Sequence, residues 1–161
     1  MSQNLGVITS GALVVDGIPY FVDTTRGNKQ LSSPFTVEFG LNNSSVGNGI
    51  ALLWPGGSFD GSNGGWTVPE DLTILGYSLF AAQVVTAVVG FDVRVGTPPT
   101  AGTGSSLFST NTLAVGTGTA NRNMAINQDV AAGDMIRIQI ETTGGSVSDP
   151  EVTLVCAWRN A

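Results

Sequence analysis

Apolar residues along this chain recur at every second position. Ile136, Ile138 and Ile140 alternate with Arg137, Gln139 and Glu141. Val152, Leu154, Cys156 and Trp158 share one parity, with Thr153, Ala157 and Arg159 on the other. A period of two is that of a strand with one face in a core and one in water. Between these runs, Thr142 to Pro150 is rich in Gly, Ser and Thr. The pattern predicts a β-hairpin with a long loop, at the centre of the core.

The same alternation marks earlier strands. Leu13 to Val15 and Ile18 to Val22 flank Asp16-Gly17, a two-residue turn that tolerates positive φ, and predict a small N-terminal hairpin. Pro19 places its strand at an edge or at a strand start. Phe35, Val37 and Phe39 alternate with Thr36 and Glu38. Ile50 to Trp54 is a short apolar run. Leu72 to Phe80 is apolar at both parities, as expected of a strand covered on two sides. Val89, Phe91, Val93 and Val95 alternate with Asp92 and Arg94. Gly96 to Ser106 reads as a loop, and Leu113–Val115 and Asn123–Ile126 as short strands around a Gly-Thr-Asn turn. No segment keeps a 3.6-residue period over three turns. Eight or nine short strands at this spacing suit an all-β sandwich or barrel, a count near that of a jelly roll, and the expected fold is an antiparallel, jelly-roll-like β-sandwich. The expected division is an N-terminal hairpin segment, 1–33, and a sandwich, 34–161.

Composition sharpens the picture. Of 161 residues, 42% are hydrophobic but only 11% charged, against about a quarter in typical domains. Ser, Thr, Asn and Gly must supply the polar surface, and little charge is left to keep copies apart. The formal net charge is −6, and one lysine and five arginines are scattered singly. No basic patch is available for phosphates, so neither nucleic acid nor an anionic membrane is an expected partner. Met1 to Leu5 is polar, which does not fit a secretory signal, and no eighteen-residue apolar window is present. Cys156 is the single cysteine, so the chain has no internal disulfide; a buried thiol is the expected state, with an intersubunit bridge the alternative.

Candidate chemistry is sparse. The chain has no histidine, which removes histidine-based triads, most zinc sites and the usual neutral-pH general base. Glu70 with Asp71, Asp129 with Asp134, and Asp149 with Glu151 are candidate acid/base pairs, but each lies in a predicted turn, where Asp is common for conformational reasons. Asp60-Gly61-Ser62-Asn63-Gly64 has the oxygen ligands of a calcium loop without its distal acid. No cofactor and no catalytic residue is expected. Arg122, between Asn121 and Asn123, suits a carboxylate or sugar, but its first reading is a surface charge or a subunit-contact partner. Of Trp54, Trp66 and Trp158, Trp66 sits among glycines and is the candidate for a ligand or interface contact. A glycan is a conceivable partner without further support.

Asp23-Thr24-Thr25-Arg26-Gly27-Asn28-Lys29-Gln30-Leu31-Ser32, followed by Phe39-Gly40, resembles a segment of small phage virion proteins. Val68-Pro69 before Leu72 to Ser78, the strand Phe91 to Val95, and Ala132-Gly133-Asp134 extend the likeness. Together they are similar to the jelly-roll heads of trimeric phage decoration proteins and fibre tips, and to the tumour-necrosis-factor-type sandwich. The resemblance implies a non-enzymatic virion protein, made in the host cytoplasm and assembled into the particle. It implies a homotrimer that decorates or cements a capsid by binding the major capsid protein or another virion protein. The alternative is a lectin-like receptor-binding tip of a tail or head fibre. Tyr20, Phe21, Asp23, Arg26 and Lys29 would belong to the anchoring segment.

Overall fold

The computed structural model describes residues 12–15, 18–23, 27–31, 33–42, 45–53, 65–97 and 104–160. Among them there is no helix, and the strands form two antiparallel sheets. The N-terminal strands are β1 (Ala12–Val15), β2 (Ile18–Asp23) and β3 (Gly27–Leu31). Then come β4 (Phe35–Gly40), the two-residue β5 (Trp66–Thr67), β6 (Leu72–Val85) and β7 (Val89–Gly96). β8 (Ser105–Leu113), β9 (Gly116–Asn123), β10 (Gln128–Val130), β11 (Met135–Thr142), β12 (Ser146–Ser148) and β13 (Glu151–Asn160) complete the order.

The large sheet carries β4, β13, β6 and β9 side by side. The small sheet runs β5-β11-β7-β8, and the segment around Ala51 joins β11 on its β5 edge through a bridge to Gln139. Followed along the chain, β4, β6, β9 and β13 go to one sheet, and the Ala51 segment, β7, β8 and β11 to the other. This is jelly-roll connectivity. Short strands continue the long ones: β10 follows β9 along one edge of β6, and β12 precedes β13 along the other. These pieces raise the strand number above the eight or nine read from sequence.

Both sheets turn alternating apolar residues inward. Phe39, Leu79, Val152, Leu154 and Cys156 from the large sheet meet Phe91, Val93, Ile136, Ile138 and Ile140 from the small one, all essentially inaccessible to solvent. Tyr77 stacks on Phe108 across the gap, with ring centroids 5.8 Å apart.

Three expectations are corrected. β11 and β13 do not form a hairpin, because β11 pairs with β7 and β13 with β4 and β6. Each has one apolar face, and those faces look at each other across the core rather than lying in one sheet. The two-faced run of β6 has a different cause. Val155 pairs with Gly76 but Cys156 with Ile74, so Leu75 is an extra residue, a β-bulge. The bulge shifts the phase, and Leu72 and Ile74 before it point into the same core as Tyr77, Leu79 and Ala81 after it. Phe80 is consequently 42% exposed. Finally, Gly116 to Asn123 is a strand rather than a turn, held to β6 from Tyr77 to Val84 by its backbone ladder.

The predicted N-terminal hairpin is present: Val15 pairs with Ile18, leaving two residues between. β3 then joins the far end of β13, opposite Arg159 and Asn160.

Residues 45–53 lace the two sheets. Val46 exchanges backbone hydrogen bonds with Val147, beside β6. The Leu52 amide donates to Ile138 O at 2.8 Å in the small sheet. Leu53 and Gly40 exchange bonds of 2.7 and 3.0 Å, back at the large sheet.

Candidate functional site

β6 runs the length of the sandwich, roughly 40 Å at about 3.3 Å per residue. It separates two ends of different character, and the large sheet presents a third surface between them.

The first end holds the N-terminal strands. Tyr20, Phe21 and Asp23 lie on β2 and Lys29 on β3, with Phe21 opposite Lys29 and Asp23 opposite Gly27. Arg26 lies outside the described residues. Here Arg159 organises the local chain. Its amide donates to Asp71 O at 2.8 Å, its Nη1 meets Asp129 Oδ2 at 3.2 Å, and its Nη2 donates to Val130 O at 3.1 Å and lies 3.4 Å from Asp71 Oδ2. Thr73 Oγ1 donates to the other Asp129 oxygen at 2.8 Å, and Ala132 N donates to Asp71 Oδ1 at 2.8 Å. Two of the acids named as acid/base candidates therefore fasten strands. Trp66, on β5, is half-buried and 6.2 Å from Trp158, which itself stacks on Phe35 at 4.5 Å. Its ring thus belongs to an aromatic seam at the core's edge. Trp54 and the Asp60 loop lie outside the described residues.

Alternation in the sequence missed a buried charged cluster on the outer side of the small sheet. Asp92 is 1% exposed and Arg137 5%. Asp92 accepts from Arg94 Nη1 at 2.8 Å, from Ser106 Oγ, and from Gln139 Nε2 at 3.4 Å. Arg94 also donates to Gly104 O through Nε at 2.9 Å. Desolvation, and then the neighbouring Arg94, hold the Arg137 pKa below its usual value. The legible signal was the pairing of two polar positions on each of two strands, Asp92 and Arg94 against Gln139 and Arg137. The donors around Asp92 give it a structural role in orienting β7 against β8 and β11.

At the opposite end, the β6–β7, β8–β9 and β11–β12 connections meet. A cleft of about 620 Å³ is lined by Asn48, Ala87, Val88, Glu141, Thr142 and Thr143. Asn48 Oδ1 accepts from the Thr142 amide at 3.0 Å, and Thr142 Oγ1 from the Gly145 amide at 2.9 Å. Ile50, Val85, Val88 and Val115, all at this end, are between 39% and 55% exposed. The connection itself is strained. Thr86 has φ 76°, and Ala87 N donates to Val85 O at 2.9 Å. That is the rare γ-turn with positive φ, which a β-branched residue adopts at a cost.

The third surface is the outer face of the large sheet. Arg122 is exposed there on β9, opposite Ser78. The register continues through Thr153 to Glu38. Glu38, Thr153, Ser78 and Arg122 therefore form one row across four strands, with the acid on one edge strand and the base on the other.

No family model matches the chain, and no curated protein matches it. Among solved structures, it is similar to chains of infectious bursal disease virus. These include a structure of the Gt strain, at 16% identity and a TM-score of 0.33, and the VP2 subviral particle, at 13% identity and a TM-score of 0.35. In both, 99% of this chain is covered, against 44% and 46% of the viral chain. The chain thus spans less than half the length of those it matches.

Proposed function

We propose that this chain is a structural protein of a bacteriophage particle, a homotrimer that decorates or cements the capsid, acting by surface burial and avidity rather than by catalysis. The observation that carries the reading is the polarity of the sandwich. The N-terminal hairpin segment, bearing Tyr20, Phe21, Asp23 and Lys29, extends the large sheet at one end, where among the described residues Leu31 pairs with Arg159 and Gln30 with Asn160. The exposed aliphatic residues and the cleft sit at the other end. In this reading 1–33 is the anchor and 34–161 the body. The jelly-roll connectivity is that of many capsid and lectin domains, which supports the reading by analogy of fold.

The test is a particle-binding assay on the chain lacking residues 1–32. The expected result is loss of binding with a cooperative thermal transition retained, since β13 keeps its β4 and β6 pairing. Undiminished binding would overturn the anchor. Sedimentation of the intact chain should give the mass of three copies, and gold-labelled antibody should mark the head.

A receptor-binding fibre tip is the second reading. It is favoured by the polar lining of the cleft and by the strained turn beside it, because strain concentrates where a surface is used. Label confined to the tail, with glycan or host-surface binding abolished by Glu141→Gln, would replace decoration with this reading.

A further inference from the structure

We propose that the outer face of the large sheet docks on the same face of a second copy. The two-fold axis lies between β13 and β6, parallel to the strands, and sets Glu38 of each copy against Arg122 of the other. The row Glu38–Thr153–Ser78–Arg122 dictates this arrangement. Rotation about such an axis exchanges left and right across the face but keeps each residue at its height along the strands. The acid on edge strand β4 then falls on the base on edge strand β9, twice, and Ser78 falls on Thr153 at the centre. An isologous contact of this kind needs a self-complementary face, and opposite charges at mirrored positions of one register row provide it.

The rest of the face is compatible with close approach. Thr36, Gly40 and Ala120 are small, and the register places them beside Val155, Glu151 and the exposed Phe80, while Gly76 is buried beneath Asn123 and Met124. The same rotation puts Phe80 opposite Glu151, so Glu151 gains no opposite charge. Four strands at about 4.8 Å spacing and some seven residues of each give roughly 450 Å² of face. Stable interfaces bury about 800 Å² per partner. The contact is therefore weak in solution and suited to linking copies already held close together. It does not rest on the virion reading.

The experiment is concentration-dependent sedimentation of the purified full-length chain, alone and as charge variants. The wild type should double the mass of its smallest species as concentration rises towards millimolar. Glu38→Arg and Arg122→Glu should each move that doubling to about tenfold higher concentration. The double variant E38R/R122E should recover it, and an equimolar mixture of the two single variants should associate, because each then offers the sign the other lacks. A second readout fixes the geometry: oxidised mixtures of Ser78→Cys and Thr153→Cys chains should cross-link, while the buried Cys156 stays out of the reaction. Absence of doubling, a doubling indifferent to both reversals, or a double variant as weak as the singles would each overturn the proposal.

Discussion

Burial pushes the Cys156 thiol up to about 12, so the folded chain holds this proton across the neutral range. The sign of the linkage follows. In the unfolded chain the thiol ionises near 9.0; above that pH the unfolded state binds fewer protons than the folded one, and stability falls. The fall from this group is about 1.4 kcal/mol per pH unit between the two values. Cys156→Ala should flatten the alkaline decline of urea midpoints, and thiol reagents should label the wild type only as it unfolds. Thr86 makes the opposite case, a residue poorly matched to its backbone. With φ 76° in a γ-turn, Thr86→Gly should raise the unfolding free energy by up to about 1 kcal/mol, read by chemical denaturation. Burial of Cys156 was legible from its place on an apolar strand face. Burial of Asp92 was not, since alternation gives a residue's face but not what covers that face.

The positions of β4, β6, β7, β11 and β13 were legible because each carries a run of apolar residues, whereas β3 and the polar β8, rich in Ser and Thr, were not. Nor was pairing. β11 and β13 are successive strands with apolar faces, a description that fits a hairpin and a facing pair equally well. β9 escaped notice because glycines and threonines carry no alternation, and its place comes from the free edge of β6. The bulge at Leu75 was hidden as a doubly covered strand. Its neighbour Gly76 has a requirement that can be tested. A Cβ there would lie 2.5 Å from Asn123 O and 2.7 Å from Met124 Cα, backbone atoms that cannot rotate away. Gly76→Ala should therefore cost about 1–3 kcal/mol in urea denaturation, by forcing β6 and the end of β9 apart. Among the candidate site residues, the sequence located Arg122 on the surface but could not show that Glu38 shares its row. That relation exists only once four strands, far apart in the chain, are in register.

At the scale of the molecule, the hairpin end and the cleft end are set apart by the length of β6, and the proposed roles follow that separation. The two sheets between them are not independent layers. Residues 45–53 bond first to the large sheet, then to the small one, then to the large one again. Peeling either sheet away breaks the same segment. The consequence is for native-state hydrogen exchange: the amides of Val46, Leu52 and Leu53 should share one opening free energy with those of Ile140 and Val147, equal to that of global unfolding. Exchange at the lacing amides through a cheaper, separate opening would mean that the sheets come apart one at a time. A single shared value would mean that the sandwich opens as one cooperative unit.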